Sequence, residues 1–129
     1  MTYELTILAW VMVLTIVQIL LPAMFRNRET GLAYNAGPRD EEGPPVGKIT
    51  GRLIRARNNL FETLPVFITA VLLVHLSGSH SDLTRLGVTL YIAARIIHIP
   101  LYAFGIPYLR SFVWMGSLIG IGLLLAAVL

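Results

Sequence analysis

Four apolar runs, each on the scale of a bilayer crossing, set the terms on which this chain can fold. The first, Leu5 to Phe25, carries no charge and as a helix spans a hydrocarbon core of roughly 30 Å. A second follows Glu62 to about Leu76, a third covers about Leu83 to Phe104, and a fourth about Ser111 to Leu129. In lipid the backbone polar groups of such runs are satisfied only by helices or a closed barrel, and unbroken runs of this length favour helices. Hydrophobic residues make up 56% of the 129 positions, charged residues only 13%, and mean hydropathy is +0.74. A soluble core of this size could not hide so much apolar surface. The expected fold is an all-α integral membrane protein: an antiparallel four-helix transmembrane bundle in one domain, residues 1–129. Its spans are placed at about 4–25, 53–77, 82–104 and 107–129. The first run has only Glu4 before it, with neither the basic n-region nor the small-residue cleavage site of a signal peptide, so it is expected to stay attached.

The connectors are unequal. Residues 26 to 50 are polar, with Gly37-Pro38, Gly43-Pro44-Pro45 and the acidic cluster Asp40, Glu41 and Glu42, which reads as a loop bounded by turns. Ser77 to Ser81 and Gly105 to Pro107 read as tight turns between antiparallel neighbours. Seven of the ten basic residues (Arg26, Arg28, Arg39, Lys48, Arg52, Arg55 and Arg57) lie between the bodies of the first two spans. The positive-inside rule then puts that connector and the turn before Arg110 on the cytoplasmic side and both termini opposite, with only Arg85 against it. The net charge of +3 is explained by topology, so no nucleic-acid partner is expected. Such a multi-pass protein belongs in the inner membrane if bacterial and in the endoplasmic reticulum if eukaryotic.

The absence of cysteine excludes a disulfide framework, a thiolate nucleophile and a Cys metal site. Any thiol must arrive with a ligand. No metal site is expected from the three histidines: His75 and His80 flank a short turn and read as solvated interfacial residues, and no second ligand stands close to His98. Gly116 and Gly120 are spaced as GxxxG, a helix-packing signal of low specificity.

Two polar stripes interrupt the apolar runs. Arg55, Asn59 and Glu62 stand at i, i+4 and i+7 on one helix face, Arg52 extends that stripe one turn outward, and Arg57 points to the opposite side. In the third span Tyr91, Arg95, His98 and Tyr102 repeat the pattern. Arg95 is too deep to snorkel comfortably, and it is expected to pair with Glu62 or with another group inside the bundle. A structural ion pair between the second and third spans explains Arg95 and Glu62 as well as a site would, but leaves His98 and Tyr102 unexplained. Pro100 removes one backbone hydrogen bond between those two residues and should open the polar face. Arg110 falls in the first turns of the fourth helix, where a cation opposes the helix dipole and calls for a compensating anion. Read alone, Arg110 is better explained as an ordinary positive-inside arginine facing headgroups.

Arg55-Ala56, Asn59, Glu62, Pro65 and Phe67, followed by Arg95, His98, Tyr102 and Arg110, resemble the two motif blocks of the membrane-associated proteins in eicosanoid and glutathione metabolism, the MAPEG family. The resemblance extends to the whole topology. It implies a homotrimer in membrane lipid, with glutathione sites between neighbouring subunits near the cytoplasmic face. It also implies a glutathione-dependent transferase that conjugates or reduces lipophilic electrophiles or peroxides, or else a non-catalytic member that binds lipid or serves as a scaffold. By matching position, Arg55, Asn59, Glu62, His98 and Tyr102 would hold glutathione, and Arg110 would be the catalytic group beside the sulfur. The chain departs from a prostaglandin E synthase of the family at Asn58, where that enzyme has Arg, at Trp114, where it has Tyr, and near Gln18, where Leu20 and Leu21 stand instead of a basic residue. Fewer cations imply weaker glutathione affinity or a different arrangement of the ligand's carboxylates.

Overall fold

The computed structural model describes residues 1–38 and 45–129. The described chain is helical: α1 spans Tyr3–Thr30, α2 Leu32–Ala36, α3 Lys48–Ser77, α4 Asp82–Ala103 and α5 Pro107–Val128. Of these, α1, α3, α4 and α5 are long and apolar enough to cross a membrane. Arg39, the acidic cluster of Asp40, Glu41 and Glu42, and Gly43 and Pro44 lie outside the described residues. Elsewhere the connector expected at 26–50 is partly helical. α1 runs on through Thr30, α2 forms a short helix, and α3 begins at Lys48.

The reason lies in the ends of those helices. Gly47 is the N-cap of α3 and has no side chain to cap it. The missing acceptor comes from α1: Glu29 accepts from the Gly47 N–H and from Thr50 Oγ1 at 2.6 Å. A capping box normally takes its carboxylate from the third residue of the same helix. Here a distant carboxylate fills that role and ties the two ends of the long connector together. α4 carries its own box, with Ser81 as N-cap and Thr84 closing it. α3 ends at Gly78, whose φ of 67° is the left-handed conformation that glycine adopts without a Cβ penalty.

α4 and α5 pack more extensively than any other pair. Gly87 and Gly120 allow it. A Cβ on Gly120 would come within 2.6 Å of the Gly87 carbonyl oxygen and 3.0 Å of the Tyr91 nitrogen. Between helices in lipid there is no hydrophobic drive to associate, so such close backbone approach is what holds them. Gly120 thus serves the packing expected of the Gly116/Gly120 pair, but its partner glycine is on the facing helix. Gly116 has only an ordinary neighbour, Ala94 Cβ at 3.8 Å.

The core joins all four long helices through Val11, Leu60, Phe67, Val71, Val74, Val88, Tyr91, Ile121 and Leu124. Tyr91, expected on the polar face of the third span, is wholly buried in this core. It stacks on Phe67 with ring centroids 3.8 Å apart and shares a 2.9 Å hydrogen bond with Thr63. Leu20, Ile96, Ile97, Leu72 and Ile119 face outward, as lipid-exposed side chains do.

At the end bearing the N-terminus, His80 is no merely solvated histidine. Its Nδ1 lies 3.2 Å from Glu4 Oε2, and Glu4, itself buried, also accepts from Thr84 Oγ1 at 2.7 Å. The contact draws the start of α1 onto the α3–α4 turn. His75 meets His80 edge to face.

Candidate functional site

A cavity of about 200 Å³ opens near the other end of the bundle, lined by Asn59 of α3, His98 and Tyr102 of α4, and Arg110, Ser111 and Trp114 of α5. Helical periodicity brings them there. His98 and Tyr102 are one turn apart on α4, and Ser111 and Trp114 share a face one turn apart on α5. The turn between these helices brings their polar faces together. Phe104, Gly105 and Ile106 return their N–H groups to the last carbonyls of α4, and Gly105 adopts a φ of 71°. Arg52 of α3 braces that turn: its Nη1 donates to the Ala103 carbonyl at 3.2 Å. The guanidinium packs so closely on Gly105 that a Cβ there would meet it at 2.7 Å. Arg52 therefore belongs to the support of the α4–α5 turn.

Within the cavity wall, the Arg110 guanidinium carbon sits 4.5 Å from the centre of the Tyr102 ring. This cation–π contact holds the α5 charge against the end of α4. Tyr102 in turn meets His98 edge to face at 5.4 Å. His98 is almost wholly buried, and among the described residues its Nδ1 has no partner. The Trp114 indole N–H is likewise buried without an acceptor.

Behind the cavity, Arg95 is 1% exposed. Its Nη1 donates to Asn59 Oδ1 at 2.8 Å, while Nε and Nη2 are unpartnered. Of the partners expected for Arg95, Glu62 or another group inside the bundle, the structure supplies the second. Asn59 lies one turn nearer the basic end of α3 and supplies the acceptor, while Glu62 is exposed on the flank of the bundle. Arg95 thus buttresses Asn59, which lines the cavity.

The structure brings together Asn59, His98, Tyr102 and Arg110 from the residues singled out in the sequence. It does not bring in Arg55 and Glu62, which are exposed on α3. The Arg55 side chain runs back along its own helix toward Gly51. Ser111 is the lining residue that the sequence reading left unremarked. Its signal was its position, next to Arg110 and one turn before Trp114.

What the arrangement offers chemically is a cation, Arg110, beside two buried ring nitrogens without partners among the described residues: the Trp114 N–H, a donor, and His98 Nδ1, which donates or accepts according to its tautomer. Buried donors left unpaired cost about 1–3 kcal/mol each, more when charged, so an occupant rich in acceptors is favoured. A family model described as the MAPEG family matches residues 5–129. No curated protein and no solved structure matches the chain. A family model spanning essentially the whole chain, on a helical fold with four membrane-capable helices, places this protein in the MAPEG family, the membrane proteins of eicosanoid and glutathione metabolism.

Proposed function

We propose that the cavity holds the thiol end of glutathione and that the protein is a glutathione-dependent membrane transferase acting on lipophilic electrophiles or peroxides. The observation that carries this reading is the convergence of Arg110, Tyr102, His98 and Asn59 on one cavity whose buried His98 and Trp114 nitrogens lack partners. Glutathione presents two carboxylates, two amides, an ammonium and a thiol. Arginine forks suit the carboxylates, a carboxylate suits the ammonium, and neutral groups such as Asn59 and Tyr102 suit the amides. A thiol with a pKa of about 8.5 is mostly protonated at neutral pH, and the thiolate is the nucleophile. The Arg110 guanidinium favours the anion, each unit of depression being about 1.4 kcal/mol of differential stabilisation. An electrophile dissolved in the bilayer then needs only proximity, orientation and that thiolate.

The cavity volume supports a site shared between subunits. At about 200 Å³ it falls below the roughly 300–1,000 Å³ typical of sites that enclose a small molecule. Arg55 and Glu62, a cation and a carboxylate suited to the glutathione backbone, stand exposed on the adjoining α3 face. A homotrimer that covers this face would complete the site and bring both residues into it. The cavity lies at the end of the bundle that carries the basic connector, so by the positive-inside rule it opens near the cytoplasmic face and both termini lie opposite.

The test is the ultraviolet band of the glutathione thiolate in the purified protein. It should appear on titration with glutathione and be lost in Arg110→Ala, while glutathione binding weakens less. A band that survives the substitution unchanged would remove Arg110 from thiolate formation. Glutathione binding with no thiolate band and no turnover on a panel of hydrophobic electrophiles would instead favour a non-catalytic ligand-binding member.

A further inference from the structure

Arg85 runs against the charge pattern of the chain, standing at the end of the bundle that carries both termini. Its side chain is exposed, and its guanidinium carbon lies 4.4 Å from the centre of the Tyr3 ring. Tyr3 is held across the α1–α4 seam by a 2.6 Å hydrogen bond between its hydroxyl and Thr89 Oγ1. The ring face receives the charge but supplies no oxygen acceptor for the guanidinium N–H groups. Asp82, one turn earlier on α4, is exposed as well. Among the described residues neither Arg85 nor Asp82 has an ion-pair partner within 4.0 Å. The nearby Glu4 is already taken by Thr84 and His80. Arg85 and Asp82 line one cavity of about 330 Å³, together with Tyr3, Glu4 and His80. A cation and an anion that stand side by side without pairing suit a ligand that carries both signs itself.

Below this cavity the seam is apolar. Tyr3, Trp10, Leu14 and Val17 follow at i, i+7, i+11 and i+14 on α1, and Arg85, Thr89, Ile92 and Ile96 at i, i+4, i+7 and i+11 on α4. Both stripes meet at the seam, where a second cavity of about 260 Å³ is lined by Trp10, Val13, Leu14, Val17, Ile92 and Ile96. The rise from Arg85 to Ile96 is about 16 Å at the helical pitch. That is half of a hydrocarbon core of about 30 Å, the depth of one leaflet.

Head and slot together select the occupant. A phosphate matches Arg85, a neighbouring ammonium with N–H groups to give matches Asp82, and an acyl chain matches an apolar slot one leaflet deep. We propose that the α1–α4 seam binds one phospholipid with a primary-amine head, its phosphate on Arg85, its ammonium on Asp82 and one chain laid along the slot. A choline head has no N–H to give Asp82, and a glycerol head has no cation at all. The proposal shares no residue with the glutathione site and does not rest on it.

The experiment is native mass spectrometry of the full-length protein in mild detergent, titrated in parallel with phosphatidylethanolamine, phosphatidylcholine and phosphatidylglycerol. Phosphatidylethanolamine should bind at least about tenfold more tightly than either of the others, the equivalent of one charge-assisted hydrogen bond. Asp82→Asn should abolish that preference and leave phosphatidylcholine binding unchanged. Arg85→Gln should weaken all three lipids, by at least about tenfold for phosphatidylethanolamine. Val13→Trp fills the slot and should weaken all three, while Ile119→Trp, at an exposed position outside the slot, should change none. Phosphoethanolamine, which has the head but no chain, should not displace the lipid at equal concentration. Should Arg85→Gln fail to fold, Asp82→Asn and Val13→Trp carry the same comparison. Equal binding of the three lipids to the unsubstituted protein, a preference that survives Asp82→Asn, or a Val13→Trp that behaves like Ile119→Trp would overturn the proposal.

Discussion

Replacing Gly120 by Ala tests the close contact on which the α4–α5 pair depends. The added Cβ would lie 2.6 Å from the Gly87 carbonyl oxygen and 3.0 Å from the Tyr91 nitrogen, both backbone atoms that cannot rotate aside. Ordinary contact begins at 3.4 Å, so the helices must separate locally by about 0.8 Å to admit one methyl group. Overpacking of this kind costs about 1–3 kcal/mol. Helix propensity works the other way, favouring Ala over Gly by about 0.8–1 kcal/mol. Gly122→Ala isolates the two effects, since Gly122 lies in the same helix and its Cβ would meet nothing within 4 Å. In reversible unfolding in mixed detergent micelles, Gly120→Ala should therefore be less stable than Gly122→Ala by about 1–3 kcal/mol, and Gly116→Ala should behave like Gly122→Ala. Equal stability of Gly120→Ala and Gly122→Ala would refute the argument that these two backbones meet at Gly87 and Gly120.

Asn59→Leu leaves the buried Arg95 without its acceptor and should cost about 1.5–3 kcal/mol; adding Arg95→Leu should recover much of that loss, because removing both partners leaves no orphan charge. A double variant no better than the single would show that the bond is not the source of the effect. Arg52→Gln should destabilise by about 1 kcal/mol, through the lost cation at the α4 C-terminus, and should speed amide hydrogen exchange at Phe104, Gly105 and Ile106. Unaltered exchange there would mean that the turn holds without the brace. Tyr91→Phe keeps the stack on Phe67 but loses the Thr63 hydrogen bond, at a cost of about 1 kcal/mol in the same unfolding assay; a loss as large as that of Tyr91→Ala would place the hydroxyl, and not the ring, at the centre of this contact.

Much of the architecture was legible along the chain because the bilayer leaves few choices. A run such as Leu5 to Phe25, unbroken and without charge, favours a helix in lipid, and the tight turns at Ser77 to Ser81 and Gly105 to Pro107 marked where helices end and begin. Local periodicity also put His98 and Tyr102 on one face of α4 and Asn59 on the polar stripe of α3, and family resemblance joined them with Arg110 in one expected site. Spacing along the chain could not tell which acceptor Arg95 would find, since Asn59 and Glu62 lie on the same stripe of α3 and differ only in height. Nor could it give the continuation of α1 to Thr30, because the acceptor for the Gly47 N–H and the Thr50 hydroxyl comes from Glu29, in another helix.

Composition and spacing within single helices suffice for the solvent, the helical class, the span order and most of the polar faces, because none of these depends on how one helix meets another. Tertiary packing alone determined that Tyr91 is core, that His80 is bound to Glu4, that Arg52 braces the α4–α5 turn, and that Ser111 and Trp114 join the cavity. Each of these depends on the height and rotation of one helix against another. Those are fixed by contacts between residues far apart in the chain, such as Gly87 with Gly120, and periodicity within one helix carries no information about them.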